Sequence, residues 1–111
     1  LTQNKMTTTV TNDNFQAEVL DSKDVVLVDF YADWCGPCQG MMPAVNAVSA
    51  DAPAGTKIVK VDIDAAPELA GKFGVMSIPT FIVFKGGEAV ETSMGGGKSE
   101  SDLKELMTKH V

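Results

Sequence analysis

At 111 residues the chain has room for one domain and not for two. Apolar residues make up 44% of it and charged residues 22%, the balance of a globular protein that buries a core without staples or structural metal. The net charge of -6, with nine basic residues that are all lysine and form no stripe, argues against nucleic acid and against an anionic membrane surface as partners.

No apolar run approaches the ~20 residues of a membrane helix. The opening Leu1-Thr2-Gln3-Asn4-Lys5-Met6 lacks the hydrophobic centre of a signal peptide. Leu1 to Lys5 read either as residues added ahead of a start at Met6 or as the trimmed end of an organelle protein. Residues 1–6 are therefore expected to be a flexible lead into a single domain spanning 1–111.

A helix is expected over Asn12 to Lys23, capped by Thr11 or Asn12, with Phe15, Val19 and Leu20 on one face. Val25 to Tyr31 is a β-rich run without alternation, the pattern of a strand covered on both faces. Cys35 to Ala50 predicts a helix kinked at Pro43, which has no N–H to donate. A loop at Asp51 to Gly55 leads to a second inner strand, Lys57 to Asp62, and Pro67 opens a short helix through Phe73. Thr80 to Lys85, Gly86-Gly87 and Glu88 to Ser93 form a hairpin. After Gly95-Gly96-Gly97, Ser99 or Ser101 caps a last amphipathic helix carrying Leu103, Leu106 and Met107. The order predicts an α/β fold: a mixed central sheet of about five strands, flanked on both faces by about four helices.

Both cysteines fall in Cys35-Gly36-Pro37-Cys38, where a buried strand gives way to a helix. Unpaired N–H groups and the positive dipole end at a helix N-terminus stabilise a thiolate at Cys35. Cys38, one turn on and facing inward, can attack a mixed disulfide formed at Cys35. Gly36 and Pro37 suit a tight, fixed first turn. Structural zinc needs four ligands, and the chain adds only His110 at its end, where a solvated side chain is expected. Metal is therefore not expected, and redox exchange is. Asp29 is the odd residue of an apolar strand, and desolvation should raise its pKa. Trp34, before the exposed helix start, is expected to shield the thiols and offer contact surface.

The segment Asp29-Phe-Tyr-Ala-Asp-Trp-Cys-Gly-Pro-Cys38 resembles the active-site segment of the thioredoxin family. Val75-Met-Ser-Ile-Pro-Thr80 resembles that family's second signature, and Lys85-Gly-Gly-Glu88 its hairpin. The resemblance runs from about Val10 to the C-terminus and implies the thioredoxin fold. It implies a general protein-disulfide reductase, with Asp29 accepting a proton from Cys38 and Lys60 beside Asp29. It implies a cis peptide at Ile78–Pro79 facing the cysteines, and a docking face of Trp34, Gly36, Pro37, Val75, Ile78, Pro79, Met94 and Gly95 along which a substrate segment lies extended.

The same resemblance implies no cofactor beyond a Cys35–Cys38 disulfide. Disulfide-bearing proteins are the expected substrates and a thioredoxin reductase the expected electron donor. The protein is expected to be a monomer in the cytoplasm or an organelle matrix, since neither cysteine is left for stapling. A thiol oxidase or isomerase, and a docking subunit without turnover, are the alternatives. Two departures stand out. Gln39 occupies a position often basic in the family, so Cys35 is expected to be less acidic than in such relatives. The glycine run after Met94 is expected to leave that edge mobile.

Overall fold

The computed structural model describes residues 7–111. The expected flexible start at 1–6 lies outside them. In chain order it contains β1 (Thr8–Thr9), a wide helical turn at Gln16–Leu20, β2 (Val25–Tyr31), α1 (Gly36–Ala50), β3 (Thr56–Asp62), α2 (Pro67–Lys72), β4 (Thr80–Lys85), β5 (Glu88–Met94) and α3 (Glu100–Thr108). One sheet runs β1-β3-β2-β4-β5. β3 is parallel to both β1 and β2, while β4 is antiparallel to β2 and to β5.

Every residue of β2 is buried, as its unalternating sequence requires. Its register explains how the two faces divide. Val25, Leu27 and Asp29 lie opposite Thr56, Ile58 and Lys60 of β3, and Leu27 and Asp29 lie opposite Val83 and Phe81 of β4. Side chains alternate across a strand, so all of these point to one side. There Val25, Leu27, Ile58, Phe81 and Val83 pack on Met41, Val45 and Val48 of α1 and on Leu103, Leu106 and Met107 of α3. On the other side Val26, Val28 and Phe30 pack with Val59, Val61, Ile82 and Phe84 against Phe15, Val19 and Leu69. Phe73 closes that second core, its ring edge-on to Phe84 at 5.0 Å between centroids.

The expected helix over Asn12 to Lys23 is shorter and closes in a wide turn, where Asp21 N–H bonds back to Gln16 C=O at 2.8 Å, an i to i−5 closure. Before that turn Phe15 N–H bonds to Thr11 C=O at 3.0 Å and Glu18 N–H to Asn14 C=O at 2.9 Å. Thr11 caps this start: its Oγ1 accepts from Asp13 N–H at 3.3 Å, while Asn14 Oδ1 accepts from Thr11 N–H at 2.8 Å. Asn12 does not cap. Its amide donates to Glu68 Oε1 on α2.

β1 has only two residues and no sequence signature; its pairing with β3 defines it. α1 continues through Pro43. Of the two candidate caps for α3, Ser99 is the one used. Its Oγ accepts from Asp102 N–H at 3.0 Å while Asp102 Oδ2 accepts from Ser99 N–H at 2.9 Å. His110 is not solvated as expected: Nε2 sits 2.7 Å from Glu91 Oε1, and Lys109 Nζ sits 2.8 Å from Glu91 Oε2. The antiparallel β5 brings Glu91 beneath the end of α3, which sequence separation hides.

Gly40, in α1, has a negative φ and open space where a Cβ would stand. Gly40→Ala should therefore stabilise the protein by about 1 kcal/mol, read as a rise of roughly 4–8 °C in the thermal midpoint. An unchanged midpoint would show that the first half of α1 gains nothing from helix propensity.

Candidate active site

β2 ends at Tyr31, and four residues later Cys35 stands as the N-cap of α1. Its backbone is extended (φ -88°, ψ 111°), and its sulfur accepts from Cys38 N–H at 3.2 Å. The sulfur thus takes the place that a serine or aspartate oxygen usually fills at a helix start. A sulfur so placed faces the unpaired donors and the positive end of a fifteen-residue helix, which favours its anionic form. Pro37 fills a first-turn position where no N–H is needed.

Cys35 and Cys38 are joined as a disulfide, with 5.2 Å between their Cα atoms. Cys35 keeps 5% of its surface exposed and Cys38 none, so only the first sulfur faces a partner. Tyr31, Ala32 and Ile78 pack around them.

Opposite the cysteines the Ile78–Pro79 peptide is cis. The Ile78 carbonyl oxygen lies 3.8 Å from Cys35 Sγ. Pro79 C=O accepts from Gly95 N–H at 2.8 Å, which joins the start of β4 to the residue after β5. Gly95 has φ +91°, a conformation that L side chains rarely adopt. Met94 is exposed beside it. Trp34 is 69% exposed, yet its indole N–H donates to Asp64 Oδ2 at 2.8 Å, which fixes the ring's edge. Gly36 is exposed, has a negative φ and has no atom within 4 Å of where a Cβ would stand, so neither crowding nor backbone demands glycine there. Val75 is half-buried three residues before Ile78; it packs with Phe73 against the opposite core, and its N–H bonds to Ala70 C=O.

Asp29 is fully buried on the α1 side of the sheet, and neither carboxylate oxygen has a hydrogen-bond partner. Desolvation pushes its pKa from 3.8 up to about 7, and the Lys60 ammonium pulls back more weakly. Lys60 pairs with Asp29 in register, but its Nζ lies over the Tyr31 ring, 5.1 Å from the centroid, rather than on the carboxylate. No cation adjoins the thiols through Gln39, whose amide donates to Asp33 C=O at 3.2 Å. Among the described residues, no cluster of three or more His, Cys, Asp or Glu side chains is placed to hold a metal ion.

The start of the glycine run has hydrogen-bond partners outside it. Lys98 Nζ donates to Met94 C=O at 3.0 Å and also to Gly95 C=O, while standing 5.3 Å from the centroid of the Phe81 ring. Gly96 lies against the start of α1; a Cβ there would stand 3.5 Å from Pro37 O. Asp64, Ser77 and Lys98 carry no signal in the sequence, because each acts through a partner that only the fold brings to it. Met76 lies within the second signature, and nothing in the pattern around it marks it as exposed.

The thioredoxin family model matches residues 6–109. The chain belongs to the thioredoxin family. The thioredoxin of Bacillus subtilis is 48% identical over 101 residues, covering 91% of this chain and 94% of that one. That of Chlamydia muridarum is likewise 48% identical over 101 residues, covering 91% and 95%. Among solved structures, a mutant thioredoxin from Halobacterium salinarum superimposes with a TM-score of 0.82 at 34% identity, covering 99% of this chain and 95% of that one. Family and cysteine pair together define a thiol–disulfide oxidoreductase that reduces protein disulfides by dithiol–disulfide exchange. The expected α/β fold with a mixed five-stranded sheet is the one found. Membership of the family implies, in general terms, disulfide-bearing proteins as substrates and a thioredoxin reductase as electron source.

Two outcomes follow from the buried carboxylate and the lysine strap. Because folding raises the Asp29 pKa, its contribution to stability is intact below the unfolded value near 4. It is lost as pH rises to about 7, by roughly 4 kcal/mol. Asp29→Asn should flatten that part of the pH–stability curve measured by denaturant unfolding, and an unaltered slope would remove Asp29 as its cause. Lys98→Met keeps the stem over Phe81 but removes the donors. It should speed amide exchange at Gly95 to Gly97 by about tenfold, the equivalent of about 1.4 kcal/mol of lost hydrogen bonding; equal exchange in both proteins would show that Lys98 restrains nothing.

Proposed function

We propose that Cys35 is the attacking thiolate of this reductase and Cys38 its resolving thiol. The observation that carries the assignment is the N-cap geometry: Cys35 Sγ accepts the Cys38 N–H at the open end of α1, while Cys38 is sealed behind it. In the first step the Cys35 thiolate attacks one sulfur of a substrate disulfide. The substrate S–S bond breaks, a mixed disulfide forms and one substrate thiolate leaves. In the second step Cys38, losing its proton, attacks Cys35 Sγ. The second substrate thiolate leaves and the Cys35–Cys38 disulfide remains. Two electrons and two protons delivered by the reductase restore the dithiol.

Asp29 is proposed to take the Cys38 proton. It lies in the layer between the sheet and α1, the helix that carries Cys38, and its unpartnered carboxylate is poised near neutral pH. Lys60, beside it in register, tunes that poise electrostatically. Trp34, Gly36, Pro37, Ile78, Pro79, Met94 and Gly95 form the proposed docking face. The open space over Gly36 and the Ile78 carbonyl facing the sulfur suit an extended substrate backbone. Val75, half-buried three residues before Ile78, completes that proposed face. The protein is proposed to work as a monomer, with no cofactor beyond its disulfide, in the cytoplasm or an organelle matrix; no helix among the described residues is long and apolar enough to cross a membrane.

Cys38→Ser should accumulate a covalent adduct with a disulfide-bonded protein, visible on a non-reducing gel and released by dithiothreitol. Cys35→Ser should form none. Adducts arising equally through either variant would reverse or abolish the assignment of roles.

A further inference from the structure

Five large apolar side chains stay exposed among the described residues, and three of them, Trp34, Met76 and Met94, stand around the Cys35 groove. Met76 is 96% exposed and lies two residues before Ile78; Met94 is 69% exposed and pairs across the hairpin with Thr80, the residue after Pro79. The Ser77 hydroxyl reaches the Met94 thioether at 3.9 Å, which ties Met94 to the residue that follows Met76 and precedes Ile78 in the chain. Met41 and Met107, by contrast, are 3% and 0% exposed within the core.

We propose that Met76 and Met94 are sites of oxidation by peroxides, and that their sulfoxides weaken docking of protein disulfides while sparing the cysteine chemistry. The proposal rests on the docking face described above. In the step itself a thioether lone pair attacks one oxygen of hydrogen peroxide. The O–O bond breaks, the S–O bond forms, and the departing hydroxide takes the proton from the new S–OH group, so that the products are the sulfoxide and one water. Sulfur loses two electrons and the peroxide gains them.

Oxidation of this kind follows access to the sulfur, which separates the rim methionines from the core pair. The product replaces a soft apolar surface by a strongly polar S–O group. A substrate segment settling on the rim must then strip water from that group, at a cost its apolar contacts no longer offset. At Met94 the Ser77 hydroxyl already points at the sulfur and would donate to the new oxygen, holding it at the rim. The cysteine pair responds differently to peroxide. It closes to the disulfide, which turnover reopens, whereas a sulfoxide persists until a sulfoxide reductase removes it.

The test uses that difference. The full chain is treated with hydrogen peroxide and then with dithiothreitol, which restores the dithiol and leaves sulfoxides in place. Peptide mass mapping should find one added oxygen on Met76 and on Met94 before any on Met41 or Met107. The KM for a disulfide-bonded protein should rise roughly threefold or more, while the rate with a small aryl disulfide stays within about twofold. In a Met76→Leu/Met94→Leu double variant, whatever its own starting KM, peroxide treatment should no longer change it. Oxidation of core methionines first, rim sulfoxides with an unchanged KM, or an equal loss in the double variant would each overturn the proposal. Untreated protein that reduces neither disulfide would instead overturn the reductase reading on which it rests.

Discussion

Everything the site does depends on where β2 stops. Val25 to Tyr31 is the central strand, hydrogen-bonded on both edges and covered on both faces, so its end is fixed in space to a degree that an edge strand's is not. Four residues later the chain turns into α1, whose own position is set by Met41, Val45 and Val48 packed on the same sheet. Cys35 sits between two immobile elements. Its sulfur replaces the usual capping oxygen, so the Cys38 N–H and the positive end of the helix dipole are turned toward a reactive atom. No basic neighbour assists, since Gln39 spends its amide on the backbone of Asp33. Activation of the thiol rests on the helix end itself.

The same strand carries the buried carboxylate proposed as proton acceptor. Asp29, opposite Phe81 in register, lies on the α1 side of the sheet with both oxygens unpaired, an arrangement that costs stability. Burial raises the pKa to about 7, where an acceptor can both take and release a proton under ordinary conditions. Lys60 limits the rise without neutralising it, because its ammonium is drawn over the Tyr31 ring. A direct ion pair would hold the carboxylate charged and make it a weaker acceptor.

Across the groove the docking face is organised by backbone rather than by side chains. The Pro79 carbonyl to Gly95 N–H bond links β4 to the turn after β5, and Lys98 satisfies the carbonyls of Met94 and Gly95. The side chains left outward on this face are apolar and adaptable, with Met76 and Met94 flanking the proline. A surface of that kind accepts many partners, and its thioethers give it a chemical sensitivity of its own.

Local pattern was enough for most of the fold. The unalternating run at Val25 to Tyr31, the hairpin around Gly86-Gly87 and the capped helix after Gly97 each contain their own signal within a few residues. So does the cysteine pair at a strand-to-helix junction, and so does Asp29, conspicuous as a charge in an apolar run. What escaped depends on partners distant in the chain. β1 exists only because β3 lies beside it, and the first helix ends in a wide turn that closes at Asp21. His110 found Glu91, and Lys98 bonded the carbonyls of Met94 and Gly95. The sequence by itself determined which residues could carry a thiol exchange and which elements would hold them, because propensity, periodicity and capping are local. Only the tertiary structure decided where Lys60 points, which acid holds the Trp34 indole and what Lys98 bonds, because burial and electrostatic partners are set by packing between segments far apart in the chain.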